Sequence, residues 1–99
     1  MSIAVSDEAA RWYKKELSLA EGDAVRFYAR YSSNSEIHPG FSLGISVEPP
    51  VSPALTQDVE NIHFYMEDQD LWYINGYQLN VEYIEHEDDI RYAYMPEPQ

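Results

Sequence analysis

At 99 residues the chain can close one hydrophobic core with little surplus, and 44% hydrophobic residues, among them nine tyrosines, three phenylalanines and two tryptophans, suffice to build it. Eighteen acids against six lysines and arginines give a net charge of −12, which repels a nucleic-acid backbone and leaves too few cations for a phosphate track. No apolar run approaches the roughly 20 residues of a membrane helix, the start lacks the basic and apolar regions of a secretory signal and cysteine is absent, so a cytoplasmic protein that binds neither nucleic acid nor membrane is expected.

Ile3-Ala4-Val5 predicts a short strand, after which Ser6 stands as an N-cap with Asp7 and Glu8 in the first turn of a helix. Ala9, Trp12, Tyr13, Glu16, Leu17 and Ala20 recur at spacings of three and four, while Arg11, Lys14 and Lys15 lie largely elsewhere. Gly22 is the expected stop, and Trp12 and Tyr13 are the expected anchor on a sheet.

From Ala24 to Tyr31 the period changes to two, placing Val25, Phe27, Ala29 and Tyr31 on one face and Arg26, Tyr28 and Arg30 on the other. The polar loop Ser32 to Glu36 then leads to Phe41, Leu43, Ile45 and Val47 in alternation, which predicts a hairpin-like pair with His38 near its loop end. Pro49, Pro50 and Pro53 end that strand and predict a surface connection to about Leu55. Thr56 to Glu60 and Ile62 to Met66 form a second hairpin around Asn61.

Asp68 is the expected cap of a short helix through Leu71 to Ile74, and Asn75-Gly76 turns into a strand carrying Leu79, Val81 and Tyr83. The acidic stretch Glu85 to Asp89 connects to a last strand with Ile90, Tyr92 and Tyr94, and Pro96 and Pro98 predict a frayed tail at 95–99. The sum is a single α+β domain over 1–99. It is β-rich, with about seven short strands in two mostly antiparallel sheets, one N-terminal helix and a second short helix.

Catalytic constellations are missing from the sequence. It has no cysteine nucleophile, no Gly-x-Ser-x-Gly elbow, no phosphate-binding glycine loop and no His-Glu-x-x-His pair. A non-enzymatic protein is expected, and a small enzyme with an acid–base pair around His38 is the least favoured of the readings. Two surfaces carry other chemistry. Glu85, His86 and Glu87 offer one nitrogen and several hard oxygens to a metal, or are simply a hydrated loop. Arg26, Tyr28 and Arg30 combine residue types enriched at protein interfaces, or are a solvated face whose arginines pair with the chain's own acids.

Two segments, Ile37-His38-Pro39-Gly40-Phe41-Ser42-Leu43-Gly44 and Phe64 through Leu79, together with the element order over Ser2 to Tyr94, resemble the HesB-like, or A-type iron–sulfur carrier, family. Aligning Gly40 with the glycine that follows that family's first cysteine puts His38 at the cysteine and Pro39 at the serine, and the family's C-terminal Cys-Gly-Cys has no counterpart between Ile90 and Gln99. The resemblance implies the family's compact sandwich-like fold in a cysteine-less form, without a thiolate-bound cluster. It also implies a metal position at His38, with His86, Glu85 or Glu87 as co-ligands if the last connection comes near, and labile iron as the metal admitted. The expected function is then an accessory role in iron–sulfur biogenesis, by labile metal binding or contact with a protein partner. The alternative is a structural or protein-interaction module with no metal role. A homo-oligomer is compatible with the exposed tyrosines.

Overall fold

Two sheets divide the strands of the computed structural model, which describes residues 1–98. The chain runs β1 (Ser2–Val5), α1 (Asp7–Glu16), β2 (Ala24–Tyr31), β3 (Phe41–Val47), β4 (Pro53–Val59), β5 (Ile62–Glu67), a 3₁₀ helix (Asp68–Ile74), β6 (Tyr77–Ile84), a 3₁₀ turn (Glu85–Glu87) and β7 (Asp89–Pro96). The α+β class and the two mostly antiparallel sheets are as expected, with strand orders β1-β6-β7 and β3-β2-β5-β4. Hairpins supply the antiparallel pairs β2–β3, β4–β5 and β6–β7, whereas β1 joins β6 and β2 joins β5 in parallel.

The turns follow from their residues. Glu60 and Asn61 connect β4 to β5 with φ of 52° and 62°, the two positive values of a type I′ hairpin turn. His38-Pro39-Gly40-Phe41 closes with the Phe41 amide donating to the His38 carbonyl at 3.1 Å. Proline second and Gly40 third, at φ 83°, match a type II turn. Ser6 caps α1 by accepting from the Ala9 amide at 3.1 Å.

The helix ends earlier than expected. Ser18 takes φ 52°, its amide donates to Lys15 O at 3.4 Å and the Leu19 amide donates to Lys14 O at 2.9 Å. This is a Schellman ending, which exhausts the helix well before Gly22. Pro53 opens β4 instead of prolonging the connection; a proline fits the first residue of an edge strand. Glu67, not Asp68, stands before the 3₁₀ helix, and no side chain caps it. The ladder of β7 continues through Pro96, which faces Tyr77, so Met95 and Pro96 of the expected tail at 95–99 are paired, while Gln99 lies outside the described residues.

Between the sheets lies the core, with Val25, Phe27, Ile62, Phe64 and Met66 from one side, Ile3, Val5, Leu79 and Val81 from the other, and Ala9, Ala10 and Tyr13 of α1. Phe27 and Phe64 stack with ring centroids 6.0 Å apart, and Tyr13 packs on both. Tyr13, the expected anchor, is fully buried, and its hydroxyl shares a 2.5 Å hydrogen bond with that of Tyr92. At the sheet edges the Val5 amide donates to Gln57 Oε1 at 2.6 Å, tying β1 to β4.

Candidate functional site

The outer face of β2 carries Arg26, Tyr28 and Arg30, and the structure binds most of it to the chain itself. Asp70 of the 3₁₀ helix holds the Arg26 guanidinium at 2.6 Å and Glu48 holds it at 3.2 Å. That pairing, led by the Asp70 hydrogen bond, raises the arginine above its ordinary value. The Ser46 hydroxyl donates to Glu48 at 2.6 Å and, with Arg26, keeps this carboxyl below the usual carboxylate range. Arg26 also lies over the Tyr28 ring at 5.3 Å. Tyr28 in turn rests on Gly44, where a Cβ would come within 2.7 Å of the ring. Arg30 is exposed and donates from Nε to the Ser42 hydroxyl at 3.2 Å. Of the two alternatives for this face, the self-paired one describes Arg26.

His38 is placed among aromatic rings, not carboxylates. Its imidazole sits 5.3 Å from the Trp72 ring and 5.5 Å from that of Tyr73. The acidic turn is elsewhere. Glu85, His86 and Glu87 are all exposed on the turn between β6 and β7, pinned to α1 where Trp12 Nε1 donates to Asp88 O at 3.1 Å. Among the described residues no group of three or more His, Asp or Glu side chains is gathered to hold a metal ion, so His38 is not joined to His86, Glu85 and Glu87 as a ligand set. His63 is exposed and bonded through Nδ1 to Asp58 at 2.6 Å, at the rim of an open depression that also includes Glu21, Glu60 and Asn61.

What the fold does assemble is an exposed aromatic patch at the loop end of the β2–β3 hairpin. Tyr31 closes the register opposite Phe41, their rings 5.0 Å apart. Phe41 meets Trp72 edge to face at 5.0 Å, and Trp72 meets His38. Tyr31 was expected inward with Val25 and Phe27, yet it is 88% exposed, and Trp72 is 45% exposed. The reason is geometric: the core lies under the first half of β2, where β5 pairs with Ala24 to Phe27, and the strand runs on past it. Beneath the patch, burial raises the hydroxyls of Tyr73 and Tyr94, whose rings pack at 6.1 Å. Sequence reasoning passed over Tyr31, Phe41 and Trp72 as a site. The available signal was aromatic residues flanking the polar loop Ser32 to Glu36, with nothing to say that Trp72 joins them.

A Bacillus subtilis (strain 168) protein named pyruvate dehydrogenase inhibitor is 38% identical over 95 residues, covering 96% of this chain and 100% of that protein. Proteins of Staphylococcus haemolyticus and Staphylococcus aureus, both described as uncharacterized, are 33% identical over 96 residues, covering 94% of this chain and 97% and 98% of theirs. No protein-family model matches the chain. These findings overturn the HesB-like, A-type carrier resemblance and the role in iron–sulfur biogenesis drawn from it. The physical reason is that its main anchor, His38-Pro39-Gly40-Phe41, is accounted for by a local turn that needs Gly40 at positive φ. Element order alone is common to unrelated small α+β domains.

Proposed function

This chain belongs to the family of the Bacillus subtilis protein named pyruvate dehydrogenase inhibitor, and we propose on that premise that it is a non-catalytic regulatory protein that lowers the activity of a pyruvate dehydrogenase by direct protein contact. The observation that carries the proposal is the length of the relationship, which covers 96% of this chain and all of the relative. An inhibitor's name implies a protein target and requires no chemistry of its own. It is a specific form of the interaction module, and it takes no metal.

Further support comes from the surface. Tyr31, Phe41, His38 and Trp72 present aromatic area of the kind that dominates binding energy at protein interfaces. His63 is engaged with Asp58 on an open surface, which is not the enclosed site that acid–base catalysis needs. A cytoplasmic location belongs to the same proposal; among the described residues no helix is long and apolar enough to cross a membrane.

The test is direct. Purified chain is titrated into purified pyruvate dehydrogenase, with an unrelated dehydrogenase as control, and rate and complex formation are followed together. A saturable loss of rate that tracks binding, confined to pyruvate dehydrogenase, is the expected result. An unchanged rate with no complex, at chain concentrations far above that of the enzyme, would overturn the proposal.

A further inference from the structure

We infer that the aromatic patch of Tyr31, His38, Phe41 and Trp72 docks a basic segment of a partner protein, with an arginine or lysine side chain laid on the Trp72 and Tyr31 rings. The inference deepens the inhibitor proposal and rests on it for the partner's being a protein; the chemistry of the occupant comes from the surface itself.

Charge decides between occupants. The chain carries −12, and Arg11, Lys14, Arg26 and Arg91 are each held by the chain's own carboxylates. The excess therefore stays on the surface as free carboxylate. Glu36, in the loop beside the patch, is exposed and makes no ion pair among the described residues. Its charge adds to the upward shift of Tyr73, set first by burial, and of Tyr94, set first by burial and the Tyr73 hydroxyl. Arg30, next to Tyr31, donates to the Ser42 hydroxyl and offsets part of this charge, as it does at Tyr92, but one arginine leaves the chain's −12 in excess. A second copy of the chain brings another −12 to the contact, and an acidic segment, a nucleic acid or an anionic bilayer is repelled in the same way.

The rings suit a cation. A guanidinium or ammonium is attracted to the face of tryptophan or tyrosine, with tryptophan the best acceptor. The fold already contains one such contact, Arg26 over Tyr28 at 5.3 Å. Tyr31, at 88% exposed, and Trp72, at 45%, leave ring surface open to solvent and available to an incoming side chain.

The experiment uses the full chain with Trp12→Phe, which leaves Trp72 as the reporting tryptophan, and two short peptides of alternating sequence, Arg/Leu and Glu/Leu. The Arg/Leu peptide is expected to change Trp72 emission and to shift amide resonances at Tyr31, Glu36, Phe41 and Trp72. Its affinity should fall with added salt and drop about tenfold in Trp72→Ala and in Tyr31→Ser, the loss expected for one desolvated cation–aromatic contact. The Glu/Leu peptide should not bind. Tyr31→Ser touches a side chain the core does not use, so it keeps the test valid if Trp72→Ala fails to fold. Equal binding of both peptides, shifts centred on Glu85 to Asp89 instead of the patch, or concentration-dependent pairing of the chain through the patch would each overturn the inference. Inhibition of pyruvate dehydrogenase that survives both substitutions would overturn it while keeping the inhibitor proposal. Patch binding of the Arg/Leu peptide by a chain that does not inhibit would keep the inference and remove that proposal.

Discussion

Arg26 stands between Asp70 and Glu48, and the two carboxylates are not equivalent. The Asp70 side chain is 9% exposed and Glu48 43%, with Arg26 at 16%. Water screens the outer contact, whereas removing Asp70 leaves most of a guanidinium charge under the 3₁₀ helix without its closer partner. Asp70→Ala is therefore expected to cost about 3 kcal/mol, measured by chemical denaturation, and Glu48→Ala clearly less. Equal losses in the two variants would show that burial does not govern this pair. Sequence alone placed Arg26 on a polar face but could not distinguish an arginine offered to a partner from one consumed internally, because Asp70 comes from 44 residues further along the chain.

Each element carries its own boundaries, and most were legible because turns and caps are local. The Ser6 cap, the hairpin around Asn61, whose turn also takes Glu60 from the expected strand, and the Asn75-Gly76 turn all use residues within four positions of one another. The end of α1 was misread, since glycine is the commonest residue to take the left-handed position and the chain uses Ser18 instead. A non-glycine residue at φ 52° is strained there. Ser18→Gly should relieve that strain and, after the greater entropy of the unfolded glycine chain, still stabilise the fold by about 0.5 kcal/mol. A thermal melt reads it, and an unchanged or lowered midpoint would mean that the Ser18 side chain contributes more than its backbone costs.

In the molecule as a whole the two sheets close over a core unusually rich in tyrosine, and pH reports on that closure. Burial, and for Tyr13 also the Tyr92 hydroxyl beside it, raises Tyr13, Tyr73, Tyr92 and Tyr94 above the ordinary tyrosine value of 10.0. The folded state keeps these protons where the unfolded chain releases them. Their contribution to stability is fully present below pH 10.0 and is lost as pH rises beyond it toward the folded values. Tyrosinate absorbance and circular dichroism should then show Tyr13, Tyr73, Tyr92 and Tyr94 ionising only together with loss of structure. Ionisation of these four with the dichroism unchanged would contradict the buried placement. By itself the sequence determined the α+β class, the hairpins, the first helix and the acidity, because alternation, capping and net charge act within a few residues or as a simple sum. Only the tertiary structure decided the parallel pairings of β1 with β6 and β2 with β5, the consumption of Arg26 and the placing of His38 against the rings of Trp72 and Tyr73. It also decided the gathering of Tyr31, His38, Phe41 and Trp72 into one patch. Those outcomes depend on how packing two sheets across a shared core positions segments distant in the chain, and local periodicity carries no record of that.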